Sequence, residues 1–464
     1  MTSPDLLQLL RRSRVIRGAD LLARLKIDRP SLSRATMMRM LRGLGDQIVM
    51  GGAARSSSYA ARRAIRGKLE SLPVYQIDQQ GRGTQIGTLD PIYPGGCLFK
   101  AEPSFDWPVQ PDWKDGWYAG LPYPLADLRP QGFLGRHFAR SNASIFQVPD
   151  DPTRWSEDDV IAVLSIVGSD SPGNLILGEA AYRRFMQHRQ QGCQPVGESE
   201  VLTAYAQGAV EAMAHGAPIS SAGGENPKFT TCRTRFGQPV HVLVKFSGND
   251  QTTAVRRWSD LLVCEHLALE TISALLPCRA AQSTLLQTDR TFLEVQRFDR
   301  HGEFGRSALC SWAALEAAMF GIAGASWVAA AQRLLKAKLI SETSAQHIAI
   351  LWHFGKLIAN SDMHEGNLSF RPSSNKGMLE LAPAYDMLPM LYAPVSAVEI
   401  QQKAFIPALP VPSELQSWFI AAQAARQFWE AAATDQRISA EFQIVCATNE
   451  KLVAEALERM KPDQ

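Results

Sequence analysis

The segment LIANSDMHEGNLSF places Asp362 five residues before Asn367, and Asp386 follows nineteen residues later in LELAPAYDMLP. A carboxylate, an amide and a second carboxylate at these offsets are equipped for phosphoryl transfer. That chemistry needs a carboxylate to orient and deprotonate an acceptor hydroxyl, hard oxygen ligands for Mg2+ on the phosphates, and a nearby cation. Asp362 suits the first role, and Asn367 and Asp386 the second. Taken singly, each reads more readily as a turn-capping residue, because Asp and Asn favour loops. His364 adds the alternative of a transition-metal site, but the soft or multi-imidazole ligands of such sites are missing. It is read instead as a residue that orders the loop by hydrogen bonding.

The cation is Lys245, at the end of the strand-like VHVLVKF. Val240, Val242 and Val244 fall on one face of this alternating run, with Leu243 and Lys245 on the other. A buried ammonium needs an anion or a carboxylate beside it. The helical pattern RRWSDLLVCEHLALETISALL offers Glu265 for that purpose, the alternative being a solvent-facing glutamate. Just upstream, SSAGGENPKF sets Gly223 and Gly224 before a strand-turn-strand pattern, where backbone N–H groups can approach phosphate oxygens. Such a pair alone is merely a turn. TFLEVQRFDR reads as a strand leaving into a connector, the place for adenine by its order along the chain. The succession of glycine loop, strand lysine, helix glutamate, connector, Asp-x4-Asn and later Asp is far more specific than any one member.

Composition agrees with a soluble globular protein of two or three domains: 464 residues, 45% hydrophobic and 20% charged. Seven scattered cysteines without a C-x-x-C pair indicate neither a disulfide framework nor a zinc knuckle. The start lacks a secretory pattern, and the apolar run from Ser311 to Leu335, which contains Glu316 and Arg333, reads as a buried helix rather than a membrane span. A cytoplasmic protein without a membrane partner is expected.

Net charge is +2, but residues 1–70 hold fifteen Lys and Arg against five Asp and Glu, leaving about −8 for the rest. A basic module on a mildly acidic body suggests contact with phosphates. Within it, helices are expected from Ser3-Pro4, over Ala19–Leu25 and over about Leu32–Leu44, followed by the strand-like QIVM and SYAAR. That is the order of a winged helix-turn-helix. Duplex DNA is its candidate partner, with Ser33, Arg34, Met38 and Arg39 on the recognition helix and Arg55 in the wing. A helical cap or dimerisation module with a solvated basic face is the alternative. From about Leu72 to Ala180 the chain is rich in Pro, Gly and aromatic residues and reads as a compact β-rich subdomain.

The quoted motifs SSAGGENPKF, VLVKF, RFDR, NSDMHEGN and LAPAYDMLP, with the helix carrying Glu265, resemble the HipA-type serine/threonine kinases of bacterial toxin–antitoxin systems. The N-terminal winged helix and RPQGFLGR resemble most the YjjJ-type branch. The resemblance implies an α+β, two-lobed HipA/protein-kinase-like fold with a largely helical C-terminal lobe. It divides the chain into a winged helix (1–70), a β-rich subdomain (71–215), a nucleotide-binding lobe (216–300) and a catalytic lobe (301–464). It implies ATP and Mg2+ as cofactors, Asp362 as base, Asn367 and Asp386 as metal ligands, and Lys245 on the phosphates. Ala222, Gly223, Gly224 and Lys228 would lie near those phosphates, Gln296 and Phe298 would frame adenine, and His364 matches the family's histidine. Ser220 or Ser221 would be autophosphorylated, and the added charge of about −1.5 to −2 would expel the loop by repulsion. The family's substrates make an aminoacyl-tRNA synthetase the candidate class of protein substrate, and an antitoxin a further candidate partner. Usual members take DNA binding from a separate antitoxin, whereas this chain starts with its own module.

Three rivals stand beside that reading. Lipid and small-molecule kinases share the Asp and Asn logic, but the latter place histidine just before the aspartate, where Asn360 and Ser361 stand here. No basic amphipathic membrane helix is evident near the site. A DNA-binding regulator could sense nucleotide with an inactive kinase-like body. A DNA-acting toxin with nuclease chemistry would leave Lys245 and the glycine loop unexplained.

Overall fold

The computed structural model describes residues 3–53, 57–214, 227–322, 324–394 and 403–461. Arg55, Ser220, Ser221, Ala222, Gly223 and Gly224 lie outside the described residues. The chain forms two compact units, one of Met1–Arg129 with Ala139–Gln191, the other of Pro130–Phe138 with Gly192–Gln464.

The first unit opens with α1 (Ser3–Ser13), β1 (Ile16–Arg17), α2 (Gly18–Asp28), α3 (Arg34–Gly43), β2 (Ile48–Gly51) and β3 (Ser58–Ala61). The apolar spacing of the helices accounts for their packing. Leu6, Leu10, Leu21, Leu25, Met37, Leu41 and Leu44 form one buried cluster. Each such side chain contributes on the order of 1.5–3 kcal/mol by leaving water. Ser33 starts α3 by accepting the Thr36 N–H at 3.1 Å, which satisfies one of the donors a helix start leaves open. The strands form a three-stranded antiparallel sheet in the order β1-β3-β2.

β4 (Leu72–Ile77), β5 (Gly83–Pro91), β6 (Cys97–Ala101), β7 (Trp117–Tyr118) and β8 (Leu175–Leu177) make an antiparallel sheet in the order β7-β6-β5-β4-β8. α4 (Tyr123–Ala126), α5 (Gly132–Phe146), α6 (Glu157–Val167) and α7 (Glu179–Gln191) accompany it, α5 being divided between the two units. The stretch expected to be β-rich is therefore mixed. Its prolines and glycines mark the turns of the sheet, but helices fill much of the sequence between β7 and the end of α7.

The winged module does not close its own core. Val49 and Ala60 are buried with Ile92 and Leu98 of the larger sheet. At Gly51 a Cβ would stand 2.8 Å from the Asp115 carbonyl and the Trp117 ring, so only glycine fits that approach. Three of the basic residues behind the expected positive field are matched by acids: Arg62 by Asp90 (3.1 Å), Arg63 by Asp158 (2.6 Å) and Arg66 by Asp159 (2.7 Å).

The second unit begins with α8 (Val201–Ala214), β9 (Lys228–Arg235), β10 (Gln238–Phe246), α9 (Thr253–Leu275), β11 (Ser283–Gln287) and β12 (Thr291–Gln296). The strands form one antiparallel sheet, β11-β12-β10-β9. Alternation along β10 decides what each face meets. Val242, Val244 and Phe246 join Tyr205 and Ala209 of α8. On the opposite face Leu293 and Val295 join Leu262 of α9, and Lys245 points to that side.

After the hairpin of β13 (Arg300–His301) and β14 (Gly305–Arg306) come β15 (Cys310–Ser311), α10 (Trp312–Met319), α11 (Trp327–Lys336) and α12 (Glu342–Leu357). β16 (Ser369–Pro372) and β17 (Leu379–Leu381) form a small sheet with β15, and α13 (Leu415–Thr434) and α14 (Ala440–Met460) complete the chain. The run Ser311–Leu335, expected to be one buried helix, is two. Gly321 and Gly324 take φ of +67° and +81°, which ends α10, and Ser326 recaps α11 by accepting the Ala329 N–H. Glu316 and Arg333, the charges in this run, face each other at 3.6 Å across the break. Trp312, Trp327, Trp418 and Trp429 are fully or almost fully buried in this helical region. Among the described residues no helix is long and apolar enough to cross a membrane.

Candidate active site

Lys245 is 3% exposed, and its Nζ lies 2.7 Å from both carboxylate oxygens of the fully buried Glu265. The same Nζ donates to Asp386 Oδ1. Sheet register explains the first contact, since α9 covers the face to which Lys245 points. Only the fold explains the second, because Asp386 is 141 residues away in the chain. Asp386 itself has φ +53°, a conformation few non-glycine residues adopt. Lys228 is directly opposite Lys245 on β9.

The electrostatics follow from burial and proximity. Burial pushes the Asp386 carboxyl up, but the charges of Lys245 and Lys228 and the Lys245 hydrogen bond outweigh it and hold its pKa down at about 2. Burial lowers Lys245, yet Asp386 and Glu265 together carry its pKa above the ordinary lysine value. Glu265 is left raised, because burial and the neighbouring Asp386 charge exceed what Lys245 returns to it. One ammonium between two carboxylates keeps Asp386 ionised.

Asp362 is presented by the loop after α12. The end of that helix is secured where Trp429 Nε1 donates to the Leu357 carbonyl at 2.9 Å, satisfying one of its last open acceptors. Within α12, Gly355 leaves room for the Met363 side chain, whose Sδ would stand 2.2 Å from a Cβ there. Asp362 is exposed, and its N–H donates to Asn360 Oδ1 at 3.0 Å. Its carbonyl accepts from Asn367 Nδ2 at 2.9 Å, which directs the amide oxygen of Asn367 elsewhere. His364 Nδ1 accepts the Gly366 N–H at 3.0 Å and caps the short turn Glu365–Asn367. The histidine therefore shapes the loop locally.

Gln296 ends β12 and its N–H donates to the Gln282 carbonyl at 2.8 Å. Phe298 packs on the cluster of Leu262, Ala281, Leu293 and Val295 and lies 5.9 Å from the Tyr385 ring. Tyr385 Oη donates to the Gly366 carbonyl at 2.7 Å and is bonded to Ser369 Oγ at 2.7 Å. Tyr385, Ser369 and Asn360 escaped the sequence reading. Tyr385 directly precedes Asp386, Asn360 stands two residues before Asp362, and Ser369 has no acidic neighbour, so the chain itself does not tell these packed hydroxyls and amide from exposed ones.

Lys245, Glu265, Asp386, Asp362 and Asn367 are thus joined by hydrogen bonds directly or through Asn360. The ionised Asp386 carboxylate and the Asn367 amide oxygen are hard donors suited to Mg2+. Among the described residues no cluster of three His, Cys, Asp or Glu side chains could hold a metal by itself. The donor set fits a metal that keeps water and phosphate oxygens as its other ligands.

On the winged module, Arg34 and Arg39 are exposed along α3. The Ser33 hydroxyl is engaged as the helix cap, and it also bonds Thr36 Oγ1 at 2.9 Å. Met38 is half-buried, packs on the module's core, and accepts from Tyr59 Oη at 3.5 Å.

Comparison with known proteins places this geometry in context. Residues 68–186 match the YjjJ-like toxin middle domain, and residues 220–460 match the HipA-like C-terminal domain. Toxin YjjJ of Escherichia coli K12 is 37% identical over 417 residues, covering 89% of this chain and 90% of that one. The fold is similar to HipA from the Shewanella oneidensis MR-1 complex of HipA, HipB and operator DNA, with TM-score 0.50 and 13% identity over 84% of this chain and 97% of that one. The Helicobacter pylori proinflammatory kinase CtkA aligns over 52% of this chain and 94% of its own, with 12% identity and TM-score 0.36. The expected α+β fold of HipA type is the one the chain adopts. It belongs to the HipA-like family, in the YjjJ-like branch.

Proposed function

We propose that the chain is an ATP- and Mg2+-dependent serine/threonine protein kinase of HipA toxin type. The observation that carries this reading is the Lys245–Glu265–Asp386 triad, linked to the loop that presents Asp362. Asp362 takes the proton of an acceptor hydroxyl. The hydroxyl oxygen bonds to the γ-phosphorus as the bond to the bridging oxygen breaks, and ADP leaves. Asp386 and Asn367 would hold Mg2+, which would supply positive charge to the phosphate oxygens. Lys245 supplies positive charge at the phosphates, with Lys228 and the segment 222–224 beside them. Glu265 keeps Lys245 in place, Gln296 and Phe298 border adenine, and His364 holds the loop. Ser220 or Ser221 is the site of self-phosphorylation. An aminoacyl-tRNA synthetase is the candidate class of protein substrate, and an antitoxin a candidate partner.

The winged module is proposed to bind duplex DNA through Arg34 and Arg39. Their exposure on α3 supports this, whereas Ser33 and Met38 have local bonds that hold the module itself.

The test is intact mass of the full chain after incubation with ATP and Mg2+, beside Asp362→Ala. A phosphate-sized gain in wild type only, mapped to Ser220 or Ser221, is expected once prior phosphorylation has been checked in the untreated sample. Loss of a positioned base costs on the order of 10²–10⁴-fold in rate. Nucleotide binding without transfer, to itself or to added protein substrates, would instead favour the regulator that senses ATP with an inactive kinase-like body.

A further inference from the structure

We infer that Asn360 is a positioning residue that couples the base loop to the metal-ligand segment, an inference that rests on the kinase reading above. Asn360 is 2% exposed, in the turn that leaves α12. Its own N–H donates to the Gly355 carbonyl at 2.9 Å, which ties it to the last turn of that helix. The two ends of its side-chain amide then face in two directions. Oδ1 accepts the Asp362 N–H at 3.0 Å, and Nδ2 donates to the Asp386 carbonyl at 3.3 Å. One buried amide thus bonds both aspartates through their main chains.

The main-chain bonds matter because both aspartates occupy segments that regular structure does not hold. Asp362 is in a loop without helix or strand, and Asp386 has φ +53° in a stretch between β17 and the turn at Met390–Tyr392. A residue at positive φ persists only when its surroundings determine it. Asn360 supplies a donor to the Asp386 carbonyl, and Leu391 N–H closes on the Ala359 carbonyl at 3.0 Å from the other side. Ala359 also has positive φ, at +59°, so two unusual backbone positions meet at this one amide. Asp386 therefore has its carboxylate held by Lys245 and its carbonyl held by Asn360. No other uncharged side chain of similar size offers a donor and an acceptor in this spacing.

Two substitutions separate the two ends. Asn360→Asp keeps an acceptor for the Asp362 N–H but sets a carboxylate oxygen against the Asp386 carbonyl. Asn360→Ala removes both bonds. Partners that hold metal ligands typically carry about 10–100-fold in metal affinity or activity. Both variants should therefore need about tenfold or more additional Mg2+ for half-maximal phosphate transfer, with the KM for ATP at saturating Mg2+ changing less. Hydrogen exchange in the absence of nucleotide gives a readout that does not depend on activity. The Asp362 amide should exchange about tenfold or more faster in Asn360→Ala but stay close to wild type in Asn360→Asp.

Unchanged Mg2+ dependence in both variants, with wild type active, overturns the coupling while leaving the kinase reading intact. Wild type that binds nucleotide but transfers no phosphate overturns the kinase reading. In that case, equal exchange of the Asp362 amide in wild type and Asn360→Ala rejects the clamp, and selective loss of protection in Asn360→Ala retains it as a device that holds the loop. A general loss of folding in Asn360→Ala, seen as faster exchange across the buried helices α12 and α13, would be distinguished by Asn360→Asp. If that variant folds normally and has wild-type Mg2+ dependence, the inference fails.

Discussion

The winged module and the nucleotide-side sheet place their charges in opposite ways. On α3, Arg34 and Arg39 stand in solvent, and the fold beneath them is held by Leu10, Leu21, Met37 and Leu41. On β10, Lys245 is buried, and the carboxylates that match it come from a helix and from a distant loop. Surface charges of the first kind can be changed with little effect on the fold. Charges of the second kind belong to both function and stability, because an ion removed from water needs a partner to offset its lost hydration.

The largest test of this contrast is Lys245→Ala. It leaves Glu265 and Asp386 without the ammonium that bonds them both, with only the charge of Lys228 near them, and removal of one member of a buried pair costs about 3–5 kcal/mol. The urea midpoint should fall accordingly. A midpoint equal to wild type would mean that water reaches the triad and that the two regions do not differ as argued.

The matching change in the winged module is Arg34→Ala with Arg39→Ala. Stability should shift by about 0.5 kcal/mol or less per site, as for ordinary surface positions. Binding of the full chain to duplex DNA should weaken. The slope of log affinity against log salt should drop by about 2, near 0.9 for each phosphate no longer neutralised. An unchanged slope would assign the arginines to a solvated face. The full chain is the right material, since Val49 and Ala60 would be uncovered in a fragment ending near residue 70.

The smallest effect expected is on the acid side of the stability curve. Asp386 is held below its ordinary pKa, so its contribution is present above pH 4 and is lost as pH falls toward 2. Glu265 is shifted the other way and acts with opposite sign, stabilising less as pH rises through its own titration. Asp386→Asn removes the first effect and leaves Glu265 with Lys245. The variant should lose less stability than wild type between pH 4 and pH 2.5, measured by urea denaturation. Equal losses would show that Asp386 is not ionised by its lysine partners.

Several elements were legible before any fold was known, and for simple reasons. β10 alternates, so the side to which Lys245 points follows from its valines. α3 has its apolar stripe in sequence, and the helix begins and ends within two residues of its expected bounds, although Ser33, expected in the groove, is its N-cap. The run Ser311–Leu335 misled because composition alone reports burial but not continuity. Two glycines at positive φ, with the Glu316–Arg333 pair, break what hydropathy joins. The region after Leu72 misled in the other direction, since its turn residues are dense while its helices carry weaker patterns.

The sequence by itself determined which residue types are available and which local element carries each one. Periodicity set the faces of β10, α3 and α9, and the offset of Asp362 and Asn367 set one loop, because these depend on residues close in the chain. Only the tertiary structure decided that Asp386 meets Lys245 across 141 residues and that Arg62, Arg63 and Arg66 are matched by acids. It alone gave Asn360 two aspartates to hold. Local pattern cannot encode such meetings, because they depend on how separately formed elements pack and on which buried polar groups must then find one another.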